Sequence, residues 1–448
     1  MPADPTLREE LRALLHLAWP ITVAQLGLMA MGLVDTAVLG RLSVTELAGS
    51  SIGRMVTFAA ITPAMGIALA LEPLASQAVG AGELPRAWAS LQATSRAVVL
   101  SGAPLVAVGY AALFLLEPCG IDREVASRAR AFAVTQSAGM VLTLVFLTHK
   151  TFLQSQGRTR PALIASAVAN GINLVVCNLL VRGDEFLVSL GVPAIGLPRL
   201  GAVGAGAAFS IASAVMAAIV YAASAKLQPR VAAAVMSVRE VMRLGAPVGL
   251  QMLAEVGIFA LCTVLVGRFG SVAVSAHQVA LGLASFTFMG ALGFSGGAAV
   301  RVGYAVGEGR SPRRAGLVGL ACGAVVMAVA GVVFAVFPGG LVRLFTRDSA
   351  VIALGAHLVV IAAFFQLFDG LQAVGGGVLR GAGDMRFPFV ATVVAHWAVG
   401  LPAAVVLAFV FHLGVRGIWW GLASGLVAVA ALLVARFLHV TRSVIARV

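Results

Sequence analysis

Charged residues are scarce in this sequence of 448 residues. They account for 11% of the chain, against roughly 25% in soluble domains, while hydrophobic residues reach 60%. At a mean hydropathy of +1.00, too little polar surface remains for soluble domains. The alternating segments of about ten residues that mark a membrane barrel are missing as well. The composition therefore predicts an all-α polytopic membrane protein, whose spanning segments satisfy their own backbone hydrogen bonds.

Cysteine and lysine are also rare. The four cysteines form no CxxC pair, and most of them fall within apolar runs, so neither a disulfide nor a cysteine metal site is expected. Only two lysines occur, Lys150 and Lys226, and this arginine-rich balance suggests a bacterial gene of high GC content. The net charge of +13 is scattered over short loops, which predicts anchoring to the lipid bilayer and no nucleic-acid partner.

Apolar runs bounded by charges, glycine and proline predict twelve transmembrane helices. They cover residues 14–39, 51–79, 88–116, 127–152, 161–181, 201–224, 241–266, 272–305, 314–337, 350–379, 387–411 and 416–438. An even number of spans puts both termini on one side, and the loops of that side contain more lysine and arginine. The positive-inside rule therefore predicts cytoplasmic termini, in a multi-pass protein of the bacterial inner membrane.

The second half of the chain repeats the first at an offset of 227 residues. Pro20 aligns with Pro247, and the loop VGAGELPRA aligns with VGEGRSPRRA. Further on, FLQSQGRTRP (152–161) parallels VLRGAGDMRFP (378–388), and LGAVGAG (200–206) parallels LGVRGIW (413–419), so about 14 extra residues lie near 183–199. The pattern predicts an N-lobe at 1–224, a cytoplasmic linker at 225–240 and a C-lobe at 241–448. Six helices per half make this a parallel repeat, which is typical of alternating-access transporters and disfavours a channel.

Two carboxylates lie near the middle of predicted spans in the second half. Glu255 follows Gln251 by four residues, and Asp369 lies between Gln366 and Gln372 at three-residue spacing, which draws a polar stripe down one helix face. A charge at this depth costs at least about 2.5–3.5 kcal/mol and usually faces a cavity or a partner. Carboxylate and amide oxygens are hard ligands that suit Na⁺, and the same pair could hold a proton. The structural alternative is an acid that is hydrogen-bonded to backbone or to a serine.

The first half contains a different acid, Asp35, closer to the external surface. Asn170, Asn173 and Cys177 share one face of the fifth predicted helix and are its expected neighbours, as part of a proton or substrate site; a local cap or packing contact is the alternative. The acids break the repeat, because Cys262 occupies the position equivalent to Asp35 and Leu28 the one equivalent to Glu255. Such a departure from a shared pattern favours a function over a role in the fold.

Other polar and aromatic residues are open to two interpretations. Glu72, directly before Pro73, is either a hinge residue or an acid that snorkels to the cytoplasm. The aromatic residues of the second half pack against lipid or protein, or stack on an organic cation. The candidate substrate-lining residues are Gln25, Phe259, Phe286, Phe365 and Gln372.

The sequence resembles the multidrug and toxic compound extrusion (MATE) transporters over nearly its whole length, and is most similar to their NorM-like branch. The resemblance rests on PITVAQLGLMAMGLVDTAVLGRLSVTELA, ALEPLASQAVGAGE, QAVGGGVLRGAGDMRFP and LGVRGIWWGLASGL. It implies twelve helices in two bundles that form a V. It also implies efflux of organic, mostly cationic compounds driven by inward Na⁺ or H⁺, with Glu255 and Asp369 in cation coupling and Asp35 in substrate or proton handling. Cys177 departs from the acid or amide that some members carry four residues after an asparagine.

The resemblance leaves several alternatives. A flippase for lipids or lipid-linked saccharides belongs to the same superfamily, but it is expected to have a basic cavity. A membrane-embedded enzyme would need a nucleophile–base pair or a metal motif such as HExxH, and the spans contain neither. We therefore expect a monomeric transporter that is not an enzyme and has no catalytic residues, with Na⁺ or H⁺ as coupling ion and no cofactor.

Overall fold

The computed structural model describes residues 5–231 and 235–448, and this part of the chain is helical without a strand. Twelve helices are long and apolar enough to cross a membrane, so the predicted number of spans is confirmed. They are α1 (Leu7–Leu42), α2 (Val44–Gly80), α3 (Leu84–Leu115), α4 (Arg123–Ser155), α5 (Arg160–Arg182), α6 (Ala202–Ala225), α7 (Val238–Gly267), α8 (Ser271–Gly307), α9 (Arg313–Val336), α10 (Ser349–Gly381), α11 (Arg386–Val410) and α12 (Val415–Val440).

A few of these helices contain irregular turns. A single turn at Ala70 interrupts α2, between the segments Val44–Leu69 and Leu71–Gly80. Helix α11 has π-helical turns over Val393–Gly400 and Val406–Val410. Two short helices, Asp184–Ser189 and Pro338–Arg343, lie in connections between spans.

Several helices begin before the apolar run that predicts them, because polar residues cap them. Helix α1 begins at Leu7, where the Glu9 N–H donates to the Thr6 hydroxyl at 3.3 Å and the Thr6 N–H donates to the Glu9 carboxylate at 2.8 Å. This reciprocal pair is a capping box. Helix α2 begins after Ser43, whose hydroxyl accepts from the Thr45 N–H. An apolar window detects the part of a helix inside the bilayer and misses such polar first turns.

The repeat is visible in the backbone of its loops. Gly82 and Gly309, which align at the offset of 227, have φ values of +77° and +72°. In the first loop the Glu83 N–H donates to the Ala78 carbonyl, and in the second the Arg310 N–H donates to the Ala305 carbonyl, both at 2.8 Å. This is the i+5 to i bond of a Schellman cap, whose left-handed residue is most easily glycine. Equivalent loops therefore end equivalent helices in the same way.

The chain forms two compact units. The N-terminal unit comprises Leu26–Leu71 and Leu84–Gly249, and the C-terminal unit comprises the chain up to Gln25, Glu72–Glu83 and Leu250–Val448. The predicted lobes at 1–224 and 241–448 are defined by the sequence repeat, whereas these two units are defined by how the helices pack. The lobe boundaries therefore stay a prediction. Residues 1–4 of the predicted N-lobe and 232–234 of the predicted linker lie outside the described residues.

Helices α4 and α10, which occupy equivalent positions in the repeat, lie at the centre of their units. In the N-terminal unit α4 packs against α2, α3 and α6, and in the C-terminal unit α10 packs against α8, α9 and α12. Around α10, a buried cluster that includes Ile258, Phe365 and Trp419 forms part of the core. Helix α10 is also the helix with the polar stripe, so its polar residues enter the interior of the C-terminal unit.

The loop between α5 and α6 carries the extra residues of the first half. The Asp184 carboxylate closes this loop by accepting hydrogen bonds from the Ile195 N–H at 3.1 Å and the Gly196 N–H at 2.9 Å. The bond from Ile195 is the main reason why the pKa of Asp184 lies below its usual value. A charged carboxylate therefore orders this exposed connection.

Candidate cation and substrate sites

Glu255 on α7 is the acceptor at the centre of a polar cluster in the C-terminal unit. Its Oε1 accepts hydrogen bonds from the Gln251 Nε2 at 3.1 Å and from the Gln372 Nε2 of α10 at 3.0 Å. The Thr392 hydroxyl of α11 lies close to the same carboxylate. Gln251 and Gln372 are both buried, whereas Glu255 is half-buried. The structure therefore brings together the predicted residues Glu255, Gln251 and Gln372.

The amide groups of this cluster, and that of Gln366 three residues before Asp369 on α10, have oxygen atoms that accept no hydrogen bond in the described part of the chain. The side-chain oxygens of Gln251, Gln366 and Gln372 are buried and have no hydrogen-bond partner in the part of the chain that the structure describes. The amide nitrogens are already used, because Gln366 donates to the Thr287 hydroxyl at 2.6 Å and the other two donate to Glu255. Buried polar atoms are rarely left without a partner. These oxygens are thus available to a ligand that carries positive charge.

Asp369 supplies a second carboxylate near the first. It is half-buried on α10, no hydrogen bond or ion pair to its carboxylate is found among the described residues, and it interacts electrostatically with Glu255. Two carboxylates in a poorly solvated position repel each other, and a bound monovalent cation or a proton relieves the repulsion. Among residues 5–231 and 235–448, no group of three or more His, Cys, Asp and Glu side chains is arranged to hold a metal ion. A cation here would depend on the amide oxygens as well.

Glu72 lies near this cluster, and its surroundings contradict one of its two predicted roles, whereas a hinge role stays a prediction. It is 6% exposed, so it does not snorkel into water, and its Oε2 accepts from the Arg380 Nε at 2.8 Å. Its backbone does lie just after the irregular turn at Ala70. Arg380 was not among the predicted site residues, because an arginine at the end of a span has the pattern of an anchoring charge. Its guanidinium also interacts electrostatically with Glu255.

In the N-terminal unit, Asp35 is fully buried and paired. The Arg54 Nη2 lies 3.3 Å from the Asp35 Oδ2, and the Asn173 Nδ2 donates to the Oδ1 at 3.2 Å. The Cys177 thiol is close enough to hydrogen-bond to the same carboxylate. Asn170 is not a partner of Asp35, since its amide donates to the carbonyls of Gly27 and Ser166. Arg54 was not predicted either, because an arginine near the end of a span gives the same signal as an interfacial anchor.

The predicted substrate-lining aromatics lie in different surroundings. Phe365 is 4% exposed and stacks on Trp419 with ring centroids 5.6 Å apart, so it packs in the core of the C-terminal unit. Phe259 is half-buried against that core, whereas Phe286 is exposed. Gln25 is half-buried on α1. A substrate-lining role for these four residues stays a prediction.

Comparison with known proteins assigns the family. The MatE family model matches residues 20–179 and again residues 247–406. The two matches begin 227 residues apart and end 227 residues apart, which is the offset of the internal repeat. This chain belongs to the MatE family. Membership makes it a membrane transporter and not an enzyme, as the sequence predicts.

Named relatives cover the chain almost completely. It is 35% identical to the probable multidrug resistance protein NorM of Deinococcus radiodurans, over 97% of this chain and 96% of the relative. It is 33% identical to the multidrug resistance protein NorM of Burkholderia vietnamiensis, over 99% and 97% of the two chains. Among solved structures, the eukaryotic MATE transporter AtDTX14 superposes with a TM-score of 0.85 at 21% identity, over 96% of both chains. The last similarity shows the shared fold.

Proposed function

We propose that this protein is a secondary active antiporter that exports organic, mostly cationic compounds in exchange for inward Na⁺ or H⁺. The observation that carries the proposal is the pair Glu255 and Asp369 inside the membrane, with amide oxygens beside it that lack donors. The multidrug efflux part is supported by the relatives, which are named multidrug resistance proteins.

The proposed cycle uses the coupling ion to change the charge of this cluster. A cation that enters from outside removes one of the two negative charges of Glu255 and Asp369, and the less negative cluster favours the outward state, which releases the exported compound. Return to the inward state discharges the ion and admits another substrate. One charge moving down a potential of 100 mV releases about 2.3 kcal/mol, which corresponds to roughly fifty-fold accumulation at equal charge movement.

The oxygen atoms of the cluster favour Na⁺ over H⁺ as the coupling ion. A proton requires only a carboxylate oxygen, whereas a hard metal cation is held by several oxygens at once. Besides the two carboxylates, the cluster contains the oxygens of Gln251 and Gln372, which have no hydrogen-bond donor among the described residues. If Na⁺ is the coupling ion, replacing Gln372 by leucine weakens coupling even though no titratable group is lost.

Transport by the purified protein in liposomes tests the proposal. Export of a fluorescent organic cation such as ethidium is followed under an imposed Na⁺ gradient and, separately, under a proton gradient. Wild type is compared with Glu255→Gln and Asp369→Asn, and Glu240→Gln is the control because Glu240 is an exposed acid on the same helix as Glu255. We expect both site variants to lose gradient-driven transport while the control retains it. Normal transport by both variants under both gradients would show that these carboxylates do not couple.

Location and assembly complete the proposal. We infer a monomer in the bacterial inner membrane, with both termini in the cytoplasm. The membrane orientation rests on twelve spans and on the excess of basic residues in the loops of the terminal side. Fusion of a fluorescent protein or of alkaline phosphatase to the C-terminus tests the orientation, since only the first is active in the cytoplasm. An active phosphatase fusion would reverse the assigned orientation.

A further inference from the structure

Arg380 is an internal cation that lies between Glu72 and the Glu255 cluster. Its Nε donates to the Glu72 Oε2 at 2.8 Å, and its Nη2 donates to the Ser295 hydroxyl at 3.4 Å. The guanidinium also interacts electrostatically with Glu255. The Arg380 side chain is 11% exposed and that of Glu72 is 7% exposed, so bulk water screens neither charge.

Because Gly376 has no side chain, the Arg380 guanidinium and the Gln251 amide lie close together. If Gly376 carried a Cβ, that atom would lie 3.4 Å from the Arg380 Nη1 and 4.0 Å from the Gln251 Nε2. The Gln251 Nε2 in turn lies 3.1 Å from the Glu255 Oε1. The free end of the guanidinium thus borders the same small space as the amide that binds Glu255.

We propose that Glu72 is a positioning residue for cation coupling, which holds Arg380 away from Glu255 and so keeps the coupling carboxylates available to an external cation. The inference rests on the proposed antiport. A guanidinium stays charged at every physiological pH and forms ion pairs with any carboxylate in reach. Once Glu72 loses its charge, the acid cluster around Glu255 is the remaining negative group with which Arg380 already interacts.

The placement of Glu72 suits this role. The segment Glu72–Glu83 belongs to the C-terminal unit together with α10, although it comes from the first half of the sequence. The acid therefore reaches Arg380 from a different helix than the one that carries Glu255. A local rearrangement of α2 would change how firmly Arg380 is held.

The proposal predicts opposite effects for the two partners. A charge placed within about 4–6 Å of a carboxylate changes its affinity for a cation by roughly tenfold to a thousandfold. In Glu72→Gln, Arg380 turns to Glu255, and the apparent KM for the driving cation rises at least about tenfold. In Arg380→Gln, the competing positive charge is gone, and the apparent KM falls below the wild-type value. A purely structural ion pair would change both variants in the same direction.

The assay is cation-driven ethidium transport in proteoliposomes, with Na⁺ or H⁺ titrated according to which gradient drives the wild type. The double variant Glu72→Gln/Arg380→Gln is expected to return the KM to the wild-type value or below it. Glu10→Gln is the matched control, because Glu10 forms an equally buried pair with Arg301 in the same unit, at 2.7 and 2.8 Å. The control is expected to leave the cation KM unchanged.

The outcomes separate this inference from the proposed function. Loss of coupling in Glu255→Gln together with an unchanged KM in Glu72→Gln refutes the inference and leaves the antiport proposal standing. A double variant as impaired as Glu72→Gln alone also refutes it. If Glu72→Gln does not fold, Arg380→Gln still decides, because a rise in its cation KM contradicts the competing-charge argument. Normal coupling in Glu255→Gln instead removes the proposed function on which the inference depends.

Discussion

Replacing Arg54 by glutamine is expected to destabilise the protein more than replacing its partner Asp35 by asparagine. Asp35 is 0% exposed and depends on Arg54 for its counter-charge. The Arg54 side chain is 26% exposed, its Nη1 donates to the Gly32 carbonyl at 2.9 Å, and its guanidinium lies 5.5 Å from the centre of the Phe132 ring. In Arg54→Gln, Asp35 thus loses the positive charge with which it pairs in the described part of the chain, whereas in Asp35→Asn the Arg54 side chain keeps water and two contacts.

The magnitudes follow from this difference in burial. Removing one partner of a buried ion pair costs about 3–5 kcal/mol when an uncompensated charge stays behind. We expect Arg54→Gln to approach this range, because water does not reach Asp35. Asp35→Asn loses a charge-assisted hydrogen bond and leaves a partly hydrated guanidinium, which costs about 1–3 kcal/mol.

Thermal unfolding in detergent, followed by intrinsic fluorescence, measures the two effects. The double variant Arg54→Gln/Asp35→Asn is expected to resemble Asp35→Asn, because residues in contact do not contribute additively. Arg130→Gln is the control, since the acid that it leaves behind, Glu117, has a side chain that is 36% exposed, and ion pairs of exposed acids contribute roughly 0–1 kcal/mol. If Asp35→Asn lowers the Tm as much as Arg54→Gln does, the reasoning from burial is refuted.

Two further predictions concern packing and the loop between α5 and α6. Gly66→Ala is expected to lower the Tm, because a Cβ there would lie 2.0 Å from the Gly249 backbone nitrogen. Gly171→Ala is the control and is expected to be neutral or stabilising, because a Cβ at Gly171 would have no atom within 4 Å. Equal shifts of the Tm in the two variants would contradict this reasoning. Asp184 has a lowered pKa, so its contribution to loop order is present above the unfolded-state pKa of about 3.9 and is lost as the pH falls through the lower folded value. The Ile195 amide should therefore be protected from hydrogen exchange at neutral pH, relative to the intrinsic rate at that pH, and should lose this protection in acid. The Asp184→Asn variant should show little protection throughout, and protection that persists in the wild type in acid would refute the role of Asp184.

Most of the fold could be predicted from the sequence because hydrophobic length and the repeat act over many residues at once. Each span is a run of some twenty or more mostly apolar residues. Each repeat loop occurs twice in the sequence, and its equivalent glycines Gly82 and Gly309 have nearly equal φ values. Helix starts were less predictable. The polar first turns of α1 and α2 depend on caps of a few residues, such as Thr6 with Glu9, that an apolar window does not contain.

The acid residues of the candidate sites were predictable and their arginine partners were not. An acid in an apolar span is conspicuous because acids are rare there and usually have a function. A spacing of four residues is enough to place Gln251 and Glu255 on one face of a helix. An arginine near a span end is the expected anchoring residue, so nothing in the sequence distinguishes Arg54 and Arg380 from ordinary anchoring arginines. Pairing across distant segments, as between Glu72 and Arg380, 308 residues apart, depends on the tertiary fold.

The arginines decide where negative charge remains inside the membrane. Among the described residues, Asp35 and Glu72 each form an ion pair with an arginine, so neither pair adds net charge to its surroundings. Glu255 and Asp369 form no such ion pair in this part of the chain, and their charges stand next to amide oxygens without donors. Because an uncompensated charge in the bilayer is costly, we propose that the second pair, and not Asp35, binds the coupling cation. Replacing Asp35 should therefore act first on stability, whereas replacing Glu255 or Asp369 should act on coupling.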